Sequence, residues 1–346
     1  MPSVASTQRV AIVVTSIAAP NKVMTELALG ATDHGMQFIV VGDVPSPADF
    51  TLQGCRFYGL KAQQGLDYAY ARQCPTRHYA RKNIGYLLAL EDADIIVETD
   101  DDNLPTAGFW AERTRRQRVP TLQHGGVVNA YRYFTDTHIW PRGLPLKSVL
   151  SLPPSYAELP GQEVDCPIQQ GLADANPDVD AIYRLTLPLP QSFRQDRRVA
   201  FGSGTWCPFN SQNTTWWRDA APLLYLPAYC SFRMTDIWRS FVAQRLAWEC
   251  GWSILFHEPT VSQDRNEHDL MKDFRDELPG YQHNDAILDA LGRLSLRPGI
   301  AGIGESMRIC YEQIVRMGLI EQRELQLIDA WLSDLDSISQ RNGRTQ

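Results

Sequence analysis

The sequence has no Cys-x-x-Cys pair, and its seven cysteines (Cys55, Cys74, Cys166, Cys207, Cys230, Cys250 and Cys310) are odd in number and scattered. That argues against a disulfide framework and a thiolate zinc site, and the expected setting is reduced and cytoplasmic. No stretch approaches the roughly 18–20 apolar residues that span a bilayer, so no transmembrane segment is expected. Nor is a signal peptide expected, because the apolar run in VAIVVTSIAAP is short and flows into a loop. Positive charge is in deficit, with 33 basic against 40 acidic residues and a net charge of −7. A nucleic-acid partner bound by counterion release is therefore excluded from the expectation. No internal repeat is visible. What is present suits an ordinary globular chain: 346 residues, enough for one large α/β domain with additions or for two domains.

The first hundred residues alternate between strand and helix patterns. VAIVV (10–14) and FIVV (38–41) are β-branched runs that read as buried strands, and DIIVE (94–98) brings a third. Asn21 is placed to cap a helix running to about His34, with Gly35 as its stop. Helical stretches are expected near 61–72 and 77–91, the second with Ile84, Leu87, Leu88 and Leu90 on an apolar side. This alternation predicts a mostly parallel sheet flanked by helices. Residues 120–232 are rich in Pro, Gly and aromatics and show little periodicity, as binding loops do. Beyond them a helix is expected from Thr235 to the stop at Gly251, then a short strand SILF (253–256). The tail from about 283 reads as helical with breaks near 298–304.

The most informative feature is Asp100-Asp101-Asp102, just beyond the 94–98 strand. Adjacent carboxylates repel and call for a counter-charge. A divalent cation is the simplest supplier, since Mg²⁺ or Mn²⁺ binds through one or two carboxylates and completes its shell with water and phosphate oxygens. The carboxyl end of a strand in an open α/β sheet is also where such folds bind ligands. The competing reading is a solvated acidic turn formed with Asn103 and Pro105. Arg81 and Lys82 begin the preceding helix, where cations oppose the dipole, and an anion nearby would relieve that cost.

Several segments together resemble the STELLO glycosyltransferase-like family: VVTSIAAP (13–20), VVGDVPSP (40–47), RKNIGYLLAL (81–90), ETDDDN (98–103), IWPRGLPL (139–146), PIQQGLADANPDVDAIYRLT (167–186), TDIWRSFVAQR (235–245) and QDRNEHDLMKDF (263–274). The resemblance spans about 9–285, and a more distant similarity connects it to reversibly glycosylated polypeptides and UDP-arabinopyranose mutases. It implies a GT-A-like domain over 1–285, with a nucleotide-sugar part at about 9–130 and an acceptor part at about 131–285. A helical extension, 286–346, would follow outside the matched part.

The resemblance also implies roles. Asp102 would hold the metal directly, Asp100 would contact ribose or metal-bound water, and Asp101 would face the sugar. Thr15, Ser16 and Ile17 lie where base and ribose sit, and Asp43 is placed to accept from a base N–H; turn chemistry is the alternative for these. Lys82 and Arg265 are candidates for the diphosphate. Arg142 is a candidate to clamp phosphate or to meet the anomeric carbon, against an arginine stacked on Trp140. Asp236 is a candidate general base, against plain complement to a helix dipole. His268 is the favoured last metal ligand, with His257 and Asp264 as alternatives. Gly202-Ser203-Gly204 could approach a ligand or form a simple turn.

The function expected is metal-dependent transfer from a nucleotide-diphosphate sugar, UDP-linked, with Mn²⁺ or Mg²⁺. The alternatives are a UDP-sugar mutase with a sugar-modified arginine and a non-catalytic scaffold for polysaccharide synthesis. A haloacid-dehalogenase phosphatase is disfavoured, because Leu104 stands where its hydroxyl residue belongs. The acceptor (glycan, lipid-linked sugar or small molecule), the stereochemistry and any homo-oligomer are left open.

Overall fold

The structure, a computed structural model, describes residues 8–264 and 269–343. In chain order its regular elements are β1 (Val10–Thr15), α1 (Lys22–Asp33), β2 (Gln37–Val41), β3 (Arg56–Tyr58), α2 (Leu60–Gln64), α3 (Ala69–Gln73), α4 (Lys82–Leu90), β4 (Ile95–Thr99), β5 (Asn103–Pro105) and β6 (Arg116–Leu122). There follow β7 (Gly126–Val127), β8 (Gly161–Asp165), β9 (Ile168–Asp174), α5 (Ala181–Thr186), β10 (Arg198–Phe201), β11 (Thr205–Trp206) and β12 (Asn213–Trp217). The chain continues with α6 (Thr235–Glu249), β13 (Ile254–Gln263), α7 (Leu270–Gly292), α8 (Ile303–Arg316) and α9 (Glu324–Gly343).

Eleven strands form one sheet in the order β3-β2-β1-β4-β12-β9-β13-β10-β6-β8, with β5 added on β13. The β3-β2-β1-β4 part is parallel, and beyond β4 the pairing is mixed, beginning with the antiparallel β4–β12 ladder. The parallel strands read as continuous apolar runs because helices cover both faces. Ile12 and Val14 pack with Met24 and Leu27 of α1, whereas Ala11 and Val13 pack with Ile84 and Leu87 of α4. Helix α4 lies so close that a Cβ on Gly85 would meet Val13 Cγ1 at 2.6 Å. Helix α1 starts at Asn21, whose Oδ1 accepts from Met24 N at 2.9 Å, and Gly35 beyond it adopts a φ of +64°.

Three expectations change in detail. The stretch near 61–72 is divided into α2 and α3 by the turn at Gly65. The strand expected at 253–256 runs on to Gln263, because Val261–Gln263 pair with β5. The irregular region holds β7–β12, whose β9 and β12 bury polar side chains: Gln169, Gln170, Asn213, Thr214 and Thr215.

Helix α7 runs without a break through residue 285. Helices α8 and α9 join the same apolar cluster as β1 and α4. Asp334 of α9 accepts from Ala69 N at 2.9 Å and Tyr70 N at 2.8 Å, capping α3, which lacks a side-chain cap of its own. Glu324 at the start of α9 accepts from the backbone of Ala228 and Tyr229 and from the Tyr225 hydroxyl.

Candidate active site

A cleft of about 670 Å³ opens at the carboxyl ends of β1, β2 and β4. Its lining brings together Thr15, Ser16, Ile17, Asp43, Asp100, Asp101, Asp102, Arg142 and Asp236, residues drawn from five separate sequence motifs. At one end stands the acidic turn. Asn21, the cap of α1, donates to Asp101 O at 2.8 Å. Asn103 and Gln212 exchange amide hydrogen bonds, Asn103 Nδ2 to Gln212 O at 3.0 Å and Gln212 Nε2 to Asn103 Oδ1 at 3.1 Å. The turn is thereby fixed to α1 on one side and to the segment before β12 on the other.

The three carboxylates have different protein partners. Asp100 Oδ1 is paired with Lys82 Nζ at 2.8 Å and accepts from the Tyr79 hydroxyl at 2.7 Å. Its Oδ2 has no hydrogen-bond partner among the described residues, and the side chain is 26% exposed. Asp101 Oδ2 accepts from Ser16 Oγ. Burial pushes the Asp101 carboxyl upward, the Ser16 hydrogen bond opposes this, and Asp100 adds to the rise. Asp102 Oδ2 accepts from Gln263 Nε2 at 3.1 Å. Lys82 thus supplies one positive charge to the trio, on Asp100, while Ser16 and Gln263 give Asp101 and Asp102 neutral hydrogen-bond donors.

Lys82 differs from its expected role. It is fully buried, and its ammonium faces Tyr79 Oη, Thr99 O, Asp100 Oδ1 and Ser211 O between 2.6 and 3.2 Å. With its three protons used, it holds Asp100 rather than reaching into the cleft. Arg81 is also internal, donating to Gln63 Oε1, Cys74 O and Pro75 O.

At the other end Arg142 is buried between two carboxylates. Its Nε and Nη2 donate to Asp178 at 2.8 Å each, and its Nη1 and Nη2 donate to Asp236 at 3.0 and 2.9 Å. Nη1 also donates to Arg233 O. All five guanidinium protons are engaged within the chain, so Arg142, although it lines the cleft, is bonded to carboxylates and a carbonyl where a phosphate clamp was expected. Burial alone would favour the neutral guanidine, but Asp178 and Asp236 outweigh it and hold Arg142 well above its ordinary value. Asp178 answers in the same way: burial works against its charge, Arg142 prevails, and the carboxyl stays below the usual range. Nor does Arg142 stack on Trp140, whose Nε1 instead donates to Asp180 Oδ2 at 2.7 Å. Asp236 sits in the first turn of α6, lines the cleft, and accepts from Ser211 N at 3.3 Å.

Thr15 donates to Val41 O at 2.9 Å, and Ile17, 57% exposed, stands at the cleft. Asp43 Oδ1 accepts from Val44 N at 2.7 Å and Oδ2 from His78 N at 2.9 Å. His257 is a correction: it is buried in β13, outside the cleft, and burial pushes its imidazole down to about 3. Gly202–Gly204 form a turn after β10 and do not line the cleft either. The backbone N–H of Asp264 donates to Asp102 O at 3.0 Å. Arg265 and His268 lie outside the described residues.

Sequence reasoning missed Tyr79, Asp178 and the run Asn210-Ser211-Gln212. The signal for the last was there: a polar run embedded between Phe209 and Trp216, too polar for a core strand yet wholly buried.

Among the described residues no three His, Cys, Asp or Glu side chains gather as a ligand set. The donors on the cleft are hard carboxylate oxygens, chiefly Asp100 Oδ2 and the Asp102 carboxylate. That set fits Mg²⁺ or Mn²⁺ held by one or two carboxylates and completed by ligand oxygens.

Residues 233–343 match the family model described as STELLO glycosyltransferases, and so include the helical tail, which the sequence resemblance had left out. The chain is 33% identical over 265 residues to the probable glycosyltransferase STELLO2 of Arabidopsis thaliana, covering 70% of this chain and 34% of that protein. It is 29% identical over 339 residues to the probable glycosyltransferase STELLO1 of the same plant, covering 90% and 42%. The chain thus spans well under half the length of these relatives. Among solved structures, a mycobacterial protein is similar at a TM-score of 0.41 and 11% identity, covering 91% of this chain and 77% of its own. Glucosyl-3-phosphoglycerate synthase from Mycobacterium tuberculosis, in complex with Mn²⁺, UDP and glucosyl-3-phosphoglycerate, follows at a TM-score of 0.36 and 10% identity, covering 82% and 78%.

Proposed function

This chain is related to the STELLO glycosyltransferases, and from that premise we propose that it transfers a sugar from a UDP-linked donor to an acceptor hydroxyl with the help of Mg²⁺ or Mn²⁺. The observation that carries the reading is that one cleft joins the acidic turn after β4 to the Asp236 carboxylate at the start of α6. Asp102 and the outer oxygen of Asp100 would hold the cation, which when bound offsets charge on the departing diphosphate. Ser16 keeps Asp101 in place beside them. Thr15, Ser16, Ile17 and Asp43 offer the surface for base and ribose.

Asp236 is the group suited to take the acceptor proton if the reaction inverts. A general base must be held within reach of its proton, and Arg142 fixes both Asp236 oxygens while leaving the carboxylate at the cleft wall. The mutase alternative asks Arg142 to become a nucleophile. A guanidinium whose five protons are bonded to two carboxylates and a carbonyl has no lone pair to offer, so transfer is the better-supported reaction.

The test is thermal-shift screening of nucleotide sugars with and without Mn²⁺, because selective binding to the folded form raises its melting temperature. A rise that needs a UDP-sugar and Mn²⁺ together is expected. No rise with any nucleotide sugar, under either condition, would overturn the reading.

A further inference from the structure

We infer that Tyr79 is a specificity-determining positioning residue that selects small octahedral cations at the cleft by occupying the inner oxygen of Asp100. The inference rests on the proposed metal–nucleotide reading and deepens it.

The Tyr79 hydroxyl is a junction of three groups. It donates to Asp100 Oδ1 at 2.7 Å, receives a hydrogen bond from Lys82 Nζ at 2.8 Å, and lies 2.7 Å from Ser211 Oγ. Its single proton goes to Asp100, so Ser211 is the donor in their contact. Lys82 donates to the same Asp100 oxygen at 2.8 Å. Oδ1 therefore accepts two hydrogen bonds, one from an ammonium, and its lone pairs are spent. Asp100 lines the cleft, and Oδ2, without a hydrogen-bond partner among the described residues, is what remains for a ligand. The ring is held as well, with Lys82 Nζ 5.0 Å from its centroid and Phe232 edge-on at 6.3 Å.

The consequence is one of coordination geometry. An Asp100 limited to one oxygen is a monodentate ligand. Mg²⁺ and Mn²⁺ accept such a ligand in a compact octahedral shell shared with phosphate oxygens, whereas Ca²⁺ favours six to eight oxygens and gains from bidentate carboxylates. Removing the Tyr79 hydroxyl frees a lone pair on Oδ1 and lets Asp100 close on a larger ion.

The experiment is calorimetric titration of UDP in saturating Mn²⁺, Mg²⁺ or Ca²⁺, with Tyr79→Phe and Ser211→Ala beside the unaltered chain and melting curves to confirm folding. Unaltered protein should bind UDP at least about tenfold more tightly with Mn²⁺ or Mg²⁺ than with Ca²⁺, the scale of one hydrogen bond to a charged group. Tyr79→Phe should shrink that ratio to about threefold or less. Ser211→Ala, which keeps the Tyr79–Asp100 bond, should retain it. A ratio unchanged in Tyr79→Phe, or no cation preference in the unaltered protein, would overturn the inference while leaving the metal–nucleotide reading intact. UDP that binds with none of the three cations would instead remove that reading and the inference with it.

Discussion

Arg142 shows how a residue noticed for chemistry can serve by holding charge. Two buried carboxylates, Asp178 and Asp236, share its guanidinium. Breaking such a group by deleting one partner leaves uncompensated buried charge, at a cost of about 3–5 kcal/mol. Arg142→Met should therefore lower the unfolding free energy by about that amount in urea denaturation. Weakened UDP affinity without loss of stability would mean that Arg142 meets phosphate after all. Lys82 teaches the same lesson. A cation at a helix start suggested an external anion, but a short 3₁₀ turn, Tyr79–Arg81, precedes α4 and turns the side chain inward toward Asp100. Nothing in residue type or spacing distinguishes an inward lysine from an outward one, since the difference lies in contacts with Thr99 and Ser211 from distant segments.

Elements were legible where burial on both faces left an unbroken apolar run. β1, β2 and β4 are such cases, and so is α1 with Asn21 and Gly35 at its ends. They failed to show where polar residues are buried and satisfied across strands. In β9 and β12, Gln170 and Thr214 bond one another and Asn213 bonds Leu172 O, so the strands carry none of the alternation that marks a half-exposed sheet. The short helix α5 offers a test at this scale. Its cap, Asp180, accepts from Tyr183 N and Trp140 Nε1, yet burial pushes its carboxyl up to about 6 from 3.8. Between those values the folded chain keeps a proton that the unfolded chain has released, so this group's contribution falls as pH rises and is lost above about 6. Asp180→Asn should flatten the decline in stability between pH 4 and 7 by up to about 3 kcal/mol, read as denaturation midpoints at several pH values. A decline of the same size in both proteins would contradict the assignment.

At the scale of the molecule, the cleft lies beside the change from parallel to mixed pairing at β4 and β12, where elements far apart in sequence converge. The tail belongs to the same packing. Trp331 of α9 is fully buried against Tyr70 and Tyr225, and its Nε1 donates to Pro222 O at 3.1 Å. Trp331→Ala should cost about 3–5 kcal/mol and lower the melting temperature in one transition. Two separate transitions, with the cleft portion melting as before, would show the tail to be an independent unit. The central claim is that the acidic turn is a cation–diphosphate site, and titration calorimetry of UDP with and without Mn²⁺, on the unaltered chain and on Asp102→Asn, tests it most directly. The account predicts UDP binding that requires Mn²⁺ and disappears in a folded Asp102→Asn protein. Equal Mn²⁺-dependent affinity in the two proteins would contradict it.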